Sequence, residues 1–146
     1  VDLVRNDLSI TAKRNSVKVE ELCKVFTFNN INQMISTVTS EVCQNLSFDK
    51  FISSTFPMGS MTGAPKIKSM QLIDKFEDFN RGIYSGTIGY IDSKNNFDFN
   101  VVIRTIIYDQ KDHNLSFPVG SAITSESDPS IEYEECIEKL KSVFVF

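Results

Sequence analysis

Tyr84-Ser85-Gly86-Thr87-Ile88-Gly89-Tyr90-Ile91, the polar run Asp92-Ser93-Lys94-Asn95-Asn96, and then Phe97-Asp98-Phe99-Asn100-Val101-Val102-Ile103-Arg104-Thr105-Ile106-Ile107-Tyr108 decide the fold class. The two flanking segments are rich in β-branched and aromatic residues, which fit a pleated, half-buried backbone. A connection this short joins antiparallel neighbours, because parallel strands need a long crossover. A second polar turn, Asp109 to Asn114, leads to Leu115 to Val119. The spacing predicts a meander with strands over 84–91, 97–108 and 115–119.

Helical signals lie on both sides of the meander. Towards the N-terminus, Ser47 reads as an N-cap for a short helix carrying Phe48, Phe51 and Ile52. A second helix is predicted to begin near Thr62 to Pro65, with Ile67, Met70, Ile73 and Phe76 at helical spacing and Leu72 widening a stripe read as core packing. Further upstream, Thr11 to Ser16 reads as a turn with Asn15-Ser16 at its apex, and Val17, Val19 and Val25 suggest short extended pieces around Glu20-Glu21-Leu22. Asn32 to Val42 alternates as a strand. After Ser127-Asp128-Pro129-Ser130 a last helix is predicted, capped by Ser130, directing Ile137, Leu140 and Val143 to the core and running to the chain end. The fold class is therefore α+β, an antiparallel meander packed with helices.

Composition bounds the function classes. With 146 residues, 41% apolar residues and twelve Phe, the chain has material for one core and no room for two ordinary domains with a linker. It opens without Met on the dense alternation Val1-Asp2-Leu3-Val4-Arg5-Asn6-Asp7, so it is expected to be part of a larger domain, all of 1–146 belonging to that one domain. A net charge of -4 argues against nucleic-acid binding. No apolar run approaches the roughly 20 residues that span a bilayer. The odd set Cys23, Cys43 and Cys136 lacks a CxxC pair and suits a reducing, cytoplasmic setting. Asn45-Leu46-Ser47 is a chance glycosylation match in such a setting. The single histidine, His113, sits in a polar turn, which leaves Ser9, Ser60 and Cys136 without an imidazole activator.

Four groups of residues carry candidate chemistry. In Phe56-Pro57-Met58-Gly59-Ser60-Met61-Thr62-Gly63-Ala64-Pro65-Lys66, the glycines permit close backbone approach and Ser60 and Thr62 supply hydroxyls. A carboxylate could dock on the backbone N–H groups there, although a tight turn before a helix accounts for the same pattern, and GxxxxGK[ST] is absent. Glu132, Glu135 and Lys139 share one helical face at i, i+3 and i+7. Two carboxylates so placed can meet one hard cation, magnesium before zinc, or can be ordinary acidic residues of a first helical turn. Arg104 and Tyr84 could clamp a further carboxylate, and Gly120-Ser121-Ala122 offers another small-residue turn.

These segments resemble the chorismate-using enzymes, a family that includes the large components of anthranilate and aminodeoxychorismate synthases and their isochorismate and salicylate relatives. The resemblance runs through Val1 to Leu8, Phe56 to Lys66, Arg81-Gly82-Ile83-Tyr84-Ser85-Gly86, Val102-Ile103-Arg104-Thr105, and Ser127-Asp128-Pro129 followed by Glu132-Tyr133-Glu134-Glu135 and Lys139. It implies the C-terminal part of that family's catalytic domain, a partial chorismate-binding fold, with Glu132 and Glu135 holding Mg2+. It also implies that Tyr84 and Arg104 grip the enolpyruvyl carboxylate, while Ser60, Gly120, Ser121, Ala122 and Lys139 surround the ring carboxylate and the metal. Lys139 is thereby both a catalytic and a substrate-binding candidate. Gln33 falls where anthranilate synthases resemble one another in carrying a catalytic histidine, and Gln cannot act as a neutral-pH base. Gln33 and Ser60 together resemble the aminodeoxychorismate branch, which stops at 4-amino-4-deoxychorismate and takes ammonia from a glutamine amidotransferase subunit or fused domain. Anthranilate synthase component I, isochorismate or salicylate chemistry, and a noncatalytic chorismate-binding regulator are the alternatives. The remaining metal glutamate and a lysine-bearing segment are expected upstream of Val1, so the chain alone is expected to be inactive.

Overall fold

A computed structural model describes residues 1–29 and 31–144. The chain is a mixed α+β structure of antiparallel ribbons and helices that divides into two compact units, Val1–Phe79 and Asn80–Phe146.

The first unit runs α1 (Asp2–Ser9), β1 (Lys18–Thr27), β2 (Asn32–Thr39), α2 (Phe48–Thr55), α3 (Gly59–Thr62) and α4 (Lys66–Phe76). The polar turn before β1 is as expected: Asn15 takes φ 61° and the Ser16 N–H donates to the Lys13 carbonyl at 3.1 Å. The extended pieces around Glu20 to Leu22 are one strand with register shifts between Val19 and Lys24. Cys23 turns to φ 51° inside that irregularity, and its N–H is satisfied by the Ser36 hydroxyl at 2.8 Å. β2 ends at Thr39, earlier than predicted, and Val42 makes an isolated bridge to Ala12. Ser47 stands at the α2 cap position without bonding the helix backbone. Its hydroxyl binds Asp49 instead and holds that carboxyl below its usual range.

One of the two expectations around α4 fails. The helix expected to begin near Thr62 to Pro65 does so, α4 starting at Lys66 directly after Pro65, while Gly63 at φ 137° separates it from the single turn α3. The apolar stripe, by contrast, is largely uncovered: Ile67 is 74% and Phe76 72% exposed, and only Ile73 of the four spaced positions is half-buried. Within the unit α4 packs chiefly on α3, a single turn too short to cover three turns of helix.

The second unit contains β3 (Thr87–Ile91), β4 (Phe97–Val101), β5 (Ile107–Asp109), β6 (Asn114–Ser116) and α5 (Pro129–Phe144). Both predicted turns form hairpins. In the first, the Asp92 carboxylate accepts from the backbone N–H groups of Lys94 and Asn96 at 2.7 and 2.8 Å, which bends the chain while Asn95 takes φ 63°. Gly89 is required in β3 because a Cβ there would lie 2.0 Å from the Asp98 carbonyl oxygen. The long strand expected over 97–108 is broken into β4 and β5, and β3–β4 and β5–β6 are separate two-stranded ribbons. The break lies at Val102 to Ile106: the Ile103 N–H folds back on the Val101 carbonyl at 3.0 Å and Arg104 turns to φ 51°, which no extended chain accommodates. β3 likewise begins at Thr87, leaving Tyr84 in a turn.

Asp128, not Ser130, caps α5. Its Oδ1 accepts from the N–H groups of Ser130 and Ile131 at 2.8 and 3.2 Å, and Pro129 occupies the first helical position, where a missing N–H is harmless. Ile137 and Leu140 are half-buried. The side chain of Val143 and the predicted run of the helix through residues 145 and 146 lie outside the described residues.

Candidate functional site

The second unit brings most of the candidate residues together. The β3–β4 ladder continues one step beyond its strands, with the Ser85 N–H donating to the Val102 carbonyl at 3.0 Å and the Val102 N–H to the Gly86 carbonyl at 2.9 Å. Val102 is 2% exposed and anchors this step. Tyr84 and Arg104 therefore leave the same end of one ladder, Tyr84 half-buried in its turn and Arg104 exposed on its left-handed backbone. The Tyr84 hydroxyl reaches Gly120, where a Cβ would come within 2.6 Å of it. Gly120 is thus a position that the tyrosine hydroxyl keeps free of any side chain.

From Gly120 the contacts pass to α5. Lys139 Nζ donates to the Gly120 carbonyl at 2.9 Å and forms an ion pair with Glu135 one turn earlier on the helix. The Ser121 hydroxyl donates its one proton to Glu132 Oε2, and Ser121 also stands close to Glu135, so both carboxylates lie near one serine. The Lys139 hydrogen bond and charge, aided by Ser121 and by the Arg104 guanidinium, hold the Glu135 carboxyl below its usual range. Glu135 is accordingly an anion at neutral pH. Ala122 follows in an exposed loop, its carbonyl accepting from the Ser127 hydroxyl at 3.5 Å.

The donor set suits a hard divalent cation. Glu132 and Glu135 are oxygen donors on one face, and magnesium retains several waters while using only one or two carboxylates. Among the described residues no group of three or more His, Cys, Asp or Glu gathers in one place, so protein ligands from this chain would number two.

The remaining candidates belong to the first unit. Ser60 is exposed on α3. Gly59, read as a possible close approach to a ligand, is used for packing: a Cβ there would lie 2.7 Å from the Leu3 Cβ of α1. Gln33 is exposed on β2 opposite Phe26, and its Nε2 donates to the Met34 carbonyl at 3.4 Å. A pair absent from the sequence reading ties the glycine segment down: Lys66 Nζ lies 2.6 Å from Asp7 Oδ1, their side chains 20% and 9% exposed. Asp7 and Lys66 are far apart in sequence, and no local pattern links them. Thr11, one turn beyond Asp7, buries its hydroxyl without a hydrogen-bond partner among the described residues.

Comparison with known proteins places this geometry in context. Residues 1–145 match the family described as chorismate binding enzyme. An aminodeoxychorismate synthase of Streptomyces griseus is 42% identical over 139 residues, which are 95% of this chain and 19% of that protein. Anthranilate synthase component 1 of Aquifex aeolicus is 36% identical over 143 residues, 98% of this chain and 28% of that protein. The crystal structure of anthranilate synthase component I from Streptococcus pneumoniae superposes with a TM-score of 0.84 at 32% identity, covering 97% of this chain and 32% of that one. The chain therefore spans less than a third of each of these relatives. No helix of the described residues is long and apolar enough to cross a membrane.

Proposed function

The chain belongs to the chorismate binding enzyme family, and from that premise we propose that it supplies part of the active site of an aminodeoxychorismate synthase, converting chorismate to 4-amino-4-deoxychorismate. Ammonia would come from a glutamine amidotransferase, as a subunit or a fused domain, and the setting would be the cytoplasm. The observation that carries the chorismate site is the cluster in the second unit, where Ser121 binds Glu132 beside Glu135 while Lys139 joins Glu135 to the Gly120 carbonyl. Such a cluster gathers anionic and cationic groups at one point, as binding a carboxylate through a cation requires.

In this reading, Glu132 and Glu135 hold magnesium, which when bound offers positive charge to the ring carboxylate and the departing hydroxyl. Arg104 receives the enolpyruvyl carboxylate through its planar fork and Tyr84 adds a hydroxyl donor. Lys139 and the Gly120-Ser121-Ala122 turn orient the ring carboxylate. The aminodeoxychorismate outcome rests on Gln33: an amide can position a ligand but cannot remove a ring proton, so the chain lacks at that place the base that aromatisation to anthranilate would use. The anthranilate synthases among the relatives, at 36% and 32% identity, support the second reading.

Incubating the intact protein with chorismate, magnesium and ammonium, and separating the products, tests the assignment. The expected product is 4-amino-4-deoxychorismate. Anthranilate as the sole product would overturn the branch and leave the family untouched, and chorismate binding without turnover would point to a noncatalytic regulator.

A further inference from the structure

Resting on the reading of Tyr84 as a donor to a ligand carboxylate, we propose that Gly120 is a positioning residue: the side chain it lacks is the space in which the Tyr84 hydroxyl stands against the Gly120-Ser121-Ala122 turn, so that tyrosine and turn address one ligand together. A glycine is commonly required by a left-handed backbone, as at Gly63 and Gly82. Gly120 has no such backbone, and alanine could adopt its conformation. At other glycines of the chain the obstruction is structural: a Cβ would strike the Asp98 carbonyl oxygen at Gly89, the Ile83 carbonyl oxygen at Gly86 and the Leu3 Cβ at Gly59. At Gly120 the three nearest atoms all belong to Tyr84: the hydroxyl oxygen at 2.6 Å, Cζ at 3.6 Å and Cε1 at 3.9 Å. The two ring carbons lie at ordinary van der Waals distance. The restriction on residue 120 therefore comes from one atom, the oxygen through which Tyr84 would donate.

The turn is tied on its other side to α5, through the Gly120 carbonyl that accepts from Lys139 Nζ at 2.9 Å and through the Ser121 hydroxyl that donates to Glu132. A methyl group at residue 120 is accommodated by the free-swinging end of the tyrosine and not by the anchored turn. The hydroxyl would have to retreat from 2.6 Å to the 3.4 Å of an ordinary contact, a displacement of about 0.8 Å. Misplacement on that scale is enough to lose the benefit of a directed hydrogen bond. Gly120 thus acts through Tyr84, and its replacement can cost no more than removal of the hydroxyl itself.

A double-mutant cycle on the intact protein tests this, read by kcat/KM for chorismate consumption with magnesium and ammonium, and by urea unfolding without ligand. Tyr84→Phe is expected to lower kcat/KM roughly tenfold or more, as loss of a hydrogen bond to a charged group does. Gly120→Ala is expected to lower it by a similar factor while the hydroxyl is present, and by less than about twofold once Tyr84→Phe has removed it. The urea midpoint should fall for Gly120→Ala in the wild-type background and rise in the Tyr84→Phe background, because alanine at a compatible backbone reduces the freedom of the unfolded chain. Should Gly120→Ala alone fail to fold, the double variant is expected to fold and to match Tyr84→Phe; a double variant that also fails to fold overturns the inference. Independent, multiplying losses in kcat/KM, or wild-type kinetics in Gly120→Ala, overturn the positioning role and leave the ligand site standing. Wild-type kcat/KM in Tyr84→Phe, with the opposed midpoint shifts intact, removes the tyrosine from the ligand site and the inference with it.

Discussion

Each unit contains one lysine–carboxylate pair that matters, and the two pairs are built for opposite purposes. Lys66 and Asp7 are shielded and join the first residue of α4 to α1, so that the glycine segment is held at its Lys66 end. Lys139 and Glu135 lie one turn apart on the same helix, with Glu135 half open to solvent. A shielded pair between elements fixes their placement, because losing either partner strands the other charge in a poor solvent. An open pair within one helix adds little stability and can exchange its partners. The same two side-chain chemistries therefore serve as a shielded joint between elements in one unit and as an open contact within one helix in the other.

The sharpest way to break this contrast is Asp7→Asn, which leaves the Lys66 ammonium without its counter-charge. Urea unfolding of the intact protein is expected to show a loss of about 3 kcal/mol. A loss within the error of the measurement would mean that the first pair is as dispensable as a surface one. On the other side, Arg104→Lys keeps the charge but not the fork, and steady-state kinetics should show kcat/KM lower by roughly ten- to a hundredfold, the equivalent of losing one or two charged hydrogen bonds. Unchanged kcat/KM would remove Arg104 from the site.

Smaller effects sharpen the comparison within the second unit. Asp128→Ala removes the side-chain acceptor at the start of the helix that carries Glu132, Glu135 and Lys139, and should lower stability by about 1 kcal/mol in the same unfolding assay. The weakest effect is expected at Asp92. Its carboxyl is held below the usual range, first by the Asn96 side chain and then by the backbone N–H groups of Asn96 and Lys94. A carboxyl with a lower pKa folded than unfolded binds fewer protons when folded, so its contribution is complete above the unfolded value of about 3.9 and is lost as the pH falls through the folded one. Asp92→Asn should flatten that acid limb of the stability curve slightly; an unchanged limb would assign the slope to other carboxylates.

Local chemistry made much of this legible. The turn at Asp92 to Asn96 was readable because Asp and Asn bond their own backbone, and the shared face of Glu132, Glu135 and Lys139 follows from helical spacing alone. The cap of α5 was misread by two residues, since both Ser130 and Asp128 can cap and only the placement of Pro129 inside the helix separates them. The break at Arg104 had no local signal: Val102, Ile103, Ile106 and Ile107 all favour extension, and arginine is not a residue that marks left-handed backbone. Nor could spacing show that Asp7 meets Lys66, that Ser121 binds Glu132, or that the Gly59 close approach is to Leu3, because each depends on contacts between different elements. The α4 stripe has the periodicity of a core helix and is mostly exposed, since periodicity identifies a face without identifying what covers it.

The three two-stranded ribbons have a practical consequence for anyone producing this stretch by itself. A ribbon of two strands has unpaired N–H and C=O groups along both its margins, and here those margins are flanked by exposed Ile88, Tyr90, Ile91, Val25 and Met34. Such borders anneal readily to one another. These 146 residues are thus expected to self-associate when concentrated, and stickiness in the test tube would report open hydrogen-bonding margins rather than a misfolded chain.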